Sequence, residues 1–397
     1  MRQGSGRNNK FIFMKIIIDA RFFGTETGIG RYVKEVVENL EQIDKTNQYV
    51  IFLSSKNWDL YNPKNINFKK KKVDLNWYTL KEQLFLGKYI DEEKADIAYL
   101  PHLNIPFFLK TPYVMTVHDL ILKHFKSVRA STLGPLKFYI KYFFYNFILS
   151  RGVRRARKII APTYFVRNEI IKELGVDPDK VRVVYEGLSA LPRNIDLGKN
   201  FLRDKGILSP YILYVGNAYP HKNLDCLIEA FHKIKKEQSD LQLVLVGKRD
   251  YFSKRLEEES RKKYSQFNIK YPKDILFYGY ASDEELVTLY KYAKVYAFPS
   301  LMEGFGLPPL EALSFNLPVV CSDIPALHEV LGNAVLYFNP YNVEDIKEVL
   351  KKSLIGYSTD ANVNTLLARY QFKKTAEEYL EIFYKNVNIN KKDTRRK

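Results

Sequence analysis

The residues with the clearest chemical pattern are two glutamates, Glu303 and Glu311, in the segment 299–311, PSLMEGFGLPPLE. The glycines between them predict a turn, and Pro308 or Pro309 suits the first turn of a following helix. Glu303 is then on the loop, Glu311 is in the early helix, and free backbone N–H groups nearby favour an anion or a polar ligand. Because a carboxylate accepts hydrogen bonds from paired hydroxyls, the segment predicts a site for two polyol rings. A plain strand-loop-helix connection explains neither Glu303 nor the composition of the loop.

Three predicted strands of the second half end in glycine, at Gly216, Gly247 and Gly279. Ligands of open parallel sheets bind beyond the carboxyl ends of the strands, where a glycine lets the backbone approach closely. Any one of these glycines could simply make a tight turn. The three together with the two glutamates favour a ligand crevice.

His118 follows a predicted strand in the segment 114–120, VMTVHDL. A lone histidine at such a position is more often structural than functional. The chain shows no histidine or cysteine spacing typical of a metal site, so no metal is predicted. The two cysteines suit a reducing compartment as small buried apolar residues. Structural roles are predicted for four other histidines: His102, His124, His232 and His328.

The elements that must position these residues alternate between short β-branched runs and helical patterns, which is typical of βαβ units and parallel sheets. Predicted strands cover 15–19, 49–54, 97–100, 113–118, 158–162, 181–185, 211–215, 242–246, 275–278, 295–298, 318–321 and 334–338. Predicted helices cover 29–42, 79–90, 135–150, 164–174, 223–237, 283–293, 308–315, 343–353 and 373–386. The stretch 187–200, rich in Gly, Pro, Asn and Ser, reads as a linker.

A length of 397 residues suits two domains. We expect a disordered extension over 1–13, an N-terminal domain over 14–190 and a C-terminal domain over 191–370, which the family resemblance given in the next paragraph makes the acceptor side and the donor side. Residues 371–397 are expected to form a helix that crosses back to the N-terminal domain, followed by a basic tail. No signal peptide is predicted, and no apolar run reaches the about 20 residues of a membrane-spanning helix.

The block that starts at Phe298, FPSLMEGFGLPPLEALSFNLPVVCSDIPALHEV, resembles the Glu-x7-Glu signature of glycosyltransferase family 4. Similar blocks of that family occur at 18–40 (IDARFFGTETGIGRYVKEVVENL), at 114–120 and at 215–231 (VGNAYPHKNLDCLIEAF). The resemblance runs from about 15 to 386. It implies an α/β fold of GT-B architecture, two Rossmann-like doubly wound domains facing a central cleft. It also implies transfer of a sugar from a nucleotide-sugar with retention of configuration and without a metal.

The resemblance assigns roles to the side chains that match the family pattern. Glu303 would bind hydroxyls of the transferred sugar, and Glu311 would bind the ribose. Lys222 would neutralise the diphosphate, a task that suits a compact charge. His118 would contact and orient the donor sugar. We group His118, Glu303 and Lys222 as catalytic.

The remaining predicted donor contacts involve backbone groups. They are Gly28 and Gly30 from the N-terminal domain, and Gly216, Asn217, Gly279, Tyr280, Phe305, Gly306 and Leu307 from the C-terminal domain. Many family members carry Arg at the position of Asn217. The second phosphate cation is then missing or comes from Arg31 or His221.

The formal net charge is +18, and residues 1–190 account for +13 of it, with 32 Lys and Arg against 19 Asp and Glu. This favours an anionic partner. The lysine run 69–72, between a loop and a possible edge strand, is predicted to be a solvated face, and no nucleic-acid-binding motif is present. The segment 137–158, KFYIKYFFYNFILSRGVRRARK, mixes aromatic and basic residues as an interfacial helix does. The alternative is that its apolar face packs under the N-terminal domain.

The resulting hypothesis is a cytoplasmic enzyme, peripheral on the inner face of the cytoplasmic membrane, that moves a hexose to a glycan or lipid-linked acceptor. The similarity to the mannosyltransferase-like branch favours GDP-mannose, with UDP- and dTDP-sugars as alternatives and no other cofactor. A catalytically inactive GT-B binding scaffold is the competing hypothesis. A nicotinamide enzyme is disfavoured because the segment TGIGRYV lacks the third glycine of the dinucleotide fingerprint.

Overall fold

The computed structural model describes residues 13–25, 27–125, 134–192, 194–208, 210–264, 269–357, 359 and 361–393. Of the predicted N-terminal extension 1–13, only Phe13 is among them, and the predicted basic tail lies outside them beyond residue 393. The described chain contains two fully parallel sheets, each covered by helices. The predicted α/β class with two Rossmann-like doubly wound units is confirmed.

The N-terminal half forms a seven-stranded sheet with the order β3-β2-β1-β4-β5-β6-β7. Its strands are β1 (Lys15–Asp19), β2 (Gln48–Leu53), β3 (Phe68–Lys72), β4 (Ile97–Leu100), β5 (Tyr113–Thr116), β6 (Lys158–Ala161) and β7 (Val181–Val183). Its helices are α1 (Gly28–Ile43), α2 (Leu80–Glu92), α3 (Ile121–His124), α4 (Pro135–Arg155) and α5 (Tyr164–Leu174).

The C-terminal half forms a six-stranded sheet with the order β10-β9-β8-β11-β12-β13. Its strands are β8 (Tyr211–Val215), β9 (Gln242–Val246), β10 (Ile275–Gly279), β11 (Val295–Phe298), β12 (Val319–Ser322) and β13 (Leu336–Phe338). Its helices are α6 (Gly198–Asp204), α7 (Leu224–Lys235), α8 (Tyr251–Tyr264), α9 (Asp283–Tyr292), α10 (Leu307–Ser314), α11 (Pro325–Leu331), α12 (Val343–Leu354) and α13 (Val363–Leu367). The chain continues into α14 (Phe372–Asp393).

Strand β1 shows how burial on both faces organises the first sheet. Successive side chains of a strand point to opposite faces. Ile16 and Ile18 therefore belong to one apolar core, and Ile17 belongs to the core on the other side. The first of these cores is closed by α14, whose Tyr379 and Phe383 are fully buried in it. The last helix of the chain thus completes the N-terminal half.

The lysine run 69–72 was predicted to lie between a loop and an edge strand. That position is wrong, because these lysines belong to the edge strand β3 itself. Charged side chains on an edge strand protect it from pairing with other chains. Lys70 donates to the backbone oxygens of Trp58 and Tyr61, and Lys71 lies 2.7 Å from a carboxylate oxygen of Glu93. The local pairing of these lysines agrees with a solvated protein face.

The other differences from prediction are short or polar elements. The predicted linker 187–200 overlaps α6, which begins at Gly198. Helix α8 was not predicted because its sequence, YFSKRLEEESRKKY, is polar on most sides and has few buried positions. Helices α3, α11 and α13 were also missed, and each has at most seven residues. Among the described residues, no helix is both long and apolar enough to cross a membrane.

Candidate active site

The two sheets meet where the loop after β11 contacts the end of β5. A Cβ built on Gly304 would lie 2.0 Å from the carbonyl oxygen of His118, so only glycine fits there. Thr163, which caps α5, donates its hydroxyl to the Gly304 carbonyl oxygen over 3.0 Å. Because both contacts involve carboxyl ends of parallel strands, the ligand-binding edges of the two sheets face each other.

Glu303 lies on this loop and is paired with Lys222. The Lys222 Nζ is 2.6 Å from Glu303 Oε1, and Glu303 is only 8% exposed. Lys222 ends the short helical turn 220–222 after β8, and a backbone bond from Leu301 to the His221 oxygen joins that turn to the β11 loop. The structure therefore brings together the two side chains predicted for the sugar and the diphosphate.

Glu311 is buried in α10, and its partners come from two directions. Its Oε1 is 2.8 Å from Arg31 Nη1, and its Oε2 accepts the hydroxyl of Tyr290 over 3.1 Å. Arg31 belongs to α1 of the opposite half and also contacts Asp283 over 2.6 Å. Burial raises the pKa of Glu311, although Arg31 and Tyr290 oppose this shift. The carboxylate predicted for ribose thus already holds a cation from across the cleft.

The two residues considered as a second phosphate cation differ in charge. Burial, followed by the charge of Lys222, lowers the pKa of His221 to about 4, so this ring is neutral near pH 7. Burial opposes the charge of Arg31, but Glu311 and Asp283 outweigh it and raise the pKa of Arg31. Arg31 is charged but engaged with carboxylates. Asn217 contributes a backbone oxygen that accepts the hydroxyl of Tyr214.

The strand-end glycines line a cavity beyond β8, β9 and β10. It is bounded by Gly216, Gly247 and Gly279 together with Arg249 and other neighbours. A Cβ on Gly247 would lie 2.1 Å from the Gly216 oxygen, so these two strand ends are in tight contact. Gly279 has a φ of +98°, which favours glycine. Tyr280, predicted near the nucleobase, follows directly and is exposed.

The backbone at the start of α10 is arranged for ligand contact. Gly306 is the N-cap residue with a φ of +96°, and Leu307 begins the helix. The first N–H groups of a helix have no partner within it and favour an anion. Residues 308 and 309 are prolines without an N–H, so Leu307 supplies the one N–H of the first three helical positions. The Phe305 ring is buried edge-on against Tyr370, so only its backbone could face a ligand.

The two predicted glycines of the N-terminal half differ in the space around their Cα atoms. A Cβ on Gly30 would lie 2.1 Å from Thr25 Oγ1, so its own loop requires this glycine. Its N–H donates to Thr27, the N-cap residue of α1. Gly28 has open space where its Cβ would be, so it leaves room for a neighbour.

His118 has a partner that the sequence did not reveal. Its Nδ1 is 2.9 Å from Glu186 Oε1, and its Nε2 is 3.2 Å from the backbone oxygen of Pro101. Glu186 is 7% exposed and follows β7 by three residues. Gly216 was identified because ligands bind beyond the carboxyl ends of parallel strands. The same argument, applied to β7, would have identified Glu186.

Asp119 is a second carboxylate that sequence reasoning passed over. Its Oδ1 accepts the N–H of Ile121 over 2.9 Å at the start of α3. Burial and the nearby charge of Glu303 raise the pKa of Asp119, against the effects of Ile121, His118 and Lys222. The junction between the sheets therefore carries a cluster of opposite charges. Within the described ranges, no group of three or more His, Cys, Asp or Glu residues is placed to hold a metal ion.

Two family models match the chain, one for each half. The model described as Glycosyltransferase Family 4 matches residues 27–190. The model described as Glycosyl transferases group 1 matches residues 202–365. The first covers Arg31, His118 and Glu186, and the second covers Lys222, Glu303 and Glu311.

Two similar proteins come from enteric bacteria. The O-antigen chain mannosyltransferase RfbU of Salmonella typhimurium is 29% identical over 75% of this chain and 76% of its own length. The O-antigen chain mannosyltransferase B of Escherichia coli is 28% identical over 86% of this chain and 91% of its own length. Among solved structures, a glycosyltransferase from Rickettsia africae ESF-5 superposes with a TM-score of 0.69 at 15% identity, covering 94% of this chain and 99% of that one.

Proposed function

Because this chain is a glycosyltransferase of family 4 with the GT-B architecture, we propose that it transfers mannose from GDP-mannose with retention of configuration. As a glycosyltransferase it uses a nucleotide-sugar donor and a glycan acceptor. The observation that carries the proposal is the buried Lys222–Glu303 pair at the carboxyl ends of β8 and β11. The two O-antigen mannosyltransferase relatives support mannose as the sugar and polysaccharide or glycoconjugate synthesis as the setting.

The pair suits a reaction in which negative charge moves onto a leaving diphosphate. Fixed positive charge and oriented N–H groups stabilise such developing charge. In this proposal Lys222 and the N–H groups of Gly306 and Leu307 stabilise the diphosphate, and Glu303 binds sugar hydroxyls. The bond between the anomeric carbon and the phosphate oxygen breaks as the bond to the acceptor oxygen forms on the same face. The acceptor proton passes to the departing phosphate oxygen.

We further propose that no metal takes part, because Lys222 and the α10 N–H groups supply the positive potential at the diphosphate. The assay is hydrolysis of GDP-mannose in excess EDTA, compared with the same reaction in magnesium or manganese. Equal rates are expected. Loss of turnover in EDTA that magnesium or manganese restores would contradict this part of the proposal.

The donor is tested by thermal denaturation with GDP, UDP and dTDP. A ligand at 100 times its dissociation constant stabilises the native state by about 2.7 kcal/mol. We expect GDP to raise the melting temperature most. A larger shift with UDP or dTDP would contradict GDP-mannose. Retention is tested by NMR of the released sugar, whose first anomer should match that of the donor.

The surface of α4 supports an acceptor held at an anionic membrane. One side of this helix joins the N-terminal core through Leu149 and Val153. The other side, the α4 aromatic face, exposes large apolar side chains: Leu136, Tyr139, Ile140, Phe143, Phe144 and Phe147. One side of the helix therefore packs under the N-terminal domain, as the alternative interpretation expects, and the exposed side supports the interfacial interpretation. We propose that this face and its lysines place the enzyme on the inner face of the cytoplasmic membrane.

The basic residues of α4 differ in how freely they can meet lipid. Arg151 and Arg155 donate to the backbone oxygens of Phe107 and Leu109 over 2.7 and 2.8 Å. Lys137 and Lys141 are exposed on the aromatic part of the helix. Lys137 and Lys141 are therefore better residues for a charge-reversal test than Arg151 and Arg155.

The membrane proposal is tested by co-sedimentation with vesicles of anionic or neutral lipid. The wild type should bind anionic vesicles and release them with salt. Phe143→Ser with Phe144→Ser should reduce binding, and Lys137→Glu with Lys141→Glu should do the same. The matched control is Tyr341→Ser, an aromatic residue that is 75% exposed in the other half. A wild type that stays in the supernatant at low salt would contradict the proposal.

A further inference from the structure

Both ring nitrogens of His118 lie against oxygen atoms that accept hydrogen bonds. Nδ1 faces Glu186 Oε1 at 2.9 Å, and Nε2 faces the backbone oxygen of Pro101 at 3.2 Å. A carbonyl oxygen and an ionised carboxylate can only accept. A neutral imidazole has one N–H, so it satisfies one of these contacts, whereas an imidazolium satisfies both.

The proton that a neutral ring and an ionised Glu186 would lack can be bound at one of two atoms of the pair. It can lie on the His118 ring, or it can lie on Glu186, which would then donate to a neutral ring. A carboxylic acid is ordinarily a stronger acid than an imidazolium by about two pKa units, so the ring is favoured. Burial opposes the charged ring, but Glu186, with smaller contributions from Asp119 and the Pro101 oxygen, outweighs burial and raises the pKa of His118.

The uncharged neighbours of His118 leave this pairing intact. Tyr32 of α1 meets the ring edge-on, with 4.7 Å between ring centroids, and burial raises the pKa of its hydroxyl well above the usual value. Burial, followed by the charge of His118, lowers the pKa of His102 to about 4. Both groups are therefore neutral around pH 7.

The charged groups near His118 are carboxylates and one lysine. Asp119 is next in the chain, and the charges of Glu303 and Lys222, which are paired at 2.6 Å, act on it. Burial raises the pKa of Asp119, and the charge of Asp119 contributes to the raised pKa of His118. Glu186 is the carboxylate in direct contact with the ring.

We propose that Glu186 is a positioning residue that holds His118 as an imidazolium, a fixed positive charge at the junction of the two sheets. An imidazolium cannot remove a proton from the acceptor hydroxyl, so His118 does not act as a general base. Resting on the proposed function, its charge instead supports the negative charge that develops on the leaving diphosphate. Glu186 acts through His118 and does not itself touch the substrate.

The protonation state is measured without any substrate. Long-range 1H–15N correlation of histidine-labelled protein reports both ring nitrogens of each of the six histidines, and His118→Gln identifies the His118 signals. Both nitrogens of His118 should remain protonated at pH 7. In Glu186→Gln the ring should lose its proton at a pH lower by about 1–3 units, the usual effect of one adjacent charge. An unchanged titration would overturn the proposal, because the proton would then belong to Glu186.

The matched control is a second histidine–glutamate pair in the same half. His124 Nε2 lies 2.6 Å from Glu169 Oε2. Glu169→Gln should leave the titration of His118 unchanged. A shift of His118 equal to that in Glu186→Gln would indicate a general loosening of the half and would count against a specific role for Glu186.

The consequence for catalysis is a shifted pH profile of donor hydrolysis. The protonated ring is present below its pKa and is lost as the pH rises through it. Above that pKa each pH unit reduces the protonated fraction by about tenfold. Glu186→Gln should therefore lie closer to wild-type kcat at pH 6 than at pH 8. At a pH above both pKa values, the ratio of the two kcat values should reach about tenfold for each unit by which the pKa has fallen. A loss that is equal at both pH values would indicate a merely structural role.

Glu186→Asp is the control that separates loss of the charge from a folding defect, because it keeps the charge in a shorter side chain. It should retain more activity at pH 8 than Glu186→Gln, with a similar melting temperature. If no donor is turned over by the wild type, the proposed function fails while the NMR titration still decides the protonation of His118. If the titration is unchanged but the wild type is active, the proposal about Glu186 alone fails.

Discussion

Glu303 and Glu311 belong to the same loop and helix, yet their partners come from different halves of the molecule. Glu303 is paired with Lys222, and both follow strands of the C-terminal sheet. Glu311 is paired with Arg31, which belongs to α1 of the N-terminal half. The Lys222–Glu303 pair therefore stays intact whatever the two halves do, whereas the Arg31–Glu311 pair exists only while the cleft is narrow.

This difference separates two tasks of the cleft. The two side chains predicted for the sugar and the diphosphate are paired within one half, which is the preorganisation that catalytic charge stabilisation requires. At the carboxylate predicted for ribose, Arg31 together with Asp283 and Glu311 links the two halves. The ribose prediction implies that a donor at Glu311 exchanges the arginine for two hydroxyls.

The largest expected effect comes from breaking the preorganised pair. Lys222→Ala should lower kcat for donor hydrolysis by about 10²–10³, since removal of one fixed donor at a developing charge has that effect. The variant also leaves Glu303 buried without a cation, so stability must be measured in parallel. Lys222→Ala with Glu303→Gln should recover melting temperature but not kcat. Recovery of kcat in the double variant would contradict the role of Lys222.

An intermediate effect is expected at the shared carboxylate. Glu311→Ala should weaken GDP binding by about 1.5–3 kcal/mol, the usual value of a hydrogen bond to a charged group. Isothermal calorimetry with GDP measures this directly. Glu329→Ala is the comparison, because Glu329 accepts backbone N–H groups of Tyr164 and Phe165 and lies outside the predicted donor contacts. Equal affinity of Glu311→Ala and the wild type would contradict the ribose assignment.

The smallest expected effect has the opposite sign. Arg31→Ala should tighten binding of the nucleoside guanosine by up to about fivefold, because a half-exposed ion pair is worth up to about 1 kcal/mol and no longer competes for Glu311. Asp283→Asn removes only the second carboxylate of Arg31 and should leave guanosine affinity near that of the wild type. Unchanged or weaker guanosine binding by Arg31→Ala would show that Arg31 does not compete with the ribose.

The salt dependence of guanosine binding also distinguishes the wild type from Arg31→Ala. The Arg31 side chain is 32% exposed and that of Glu311 8%, so salt screens their pair only in part. Higher ionic strength should therefore favour guanosine binding to the wild type slightly, by weakening Arg31 on Glu311. The Arg31→Ala variant should show no such increase. Guanosine is the informative ligand because it lacks the phosphates that Lys222 and a freed Arg31 would attract.

Much of the fold could be predicted because a strand that is buried on both faces of its sheet is a continuous run of apolar residues in the sequence. Strands such as β1 and β9 are continuous apolar runs, and the glycines that end β8 and β10 mark the ligand edge. Elements made mostly of polar residues show no such apolar pattern. Helix α8 and the lysine strand β3 were missed for this reason, since their side chains mostly face solvent or make local ion pairs.

The sequence by itself determined the two-domain α/β architecture, the family, and the proximity of Glu303 to the start of α10, because these depend on local patterns. Only the tertiary structure decided which charges meet. Arg31 and Glu311 are 280 positions apart in the chain, and His118 and Glu186 are 68 apart. No local pattern encodes such pairs, since electrostatic attraction depends on distance in space and not on distance along the chain. Arg31 reaches Glu311 only where the two halves meet, and His118 reaches Glu186 only because β5 and β7 end at the same edge of the first sheet.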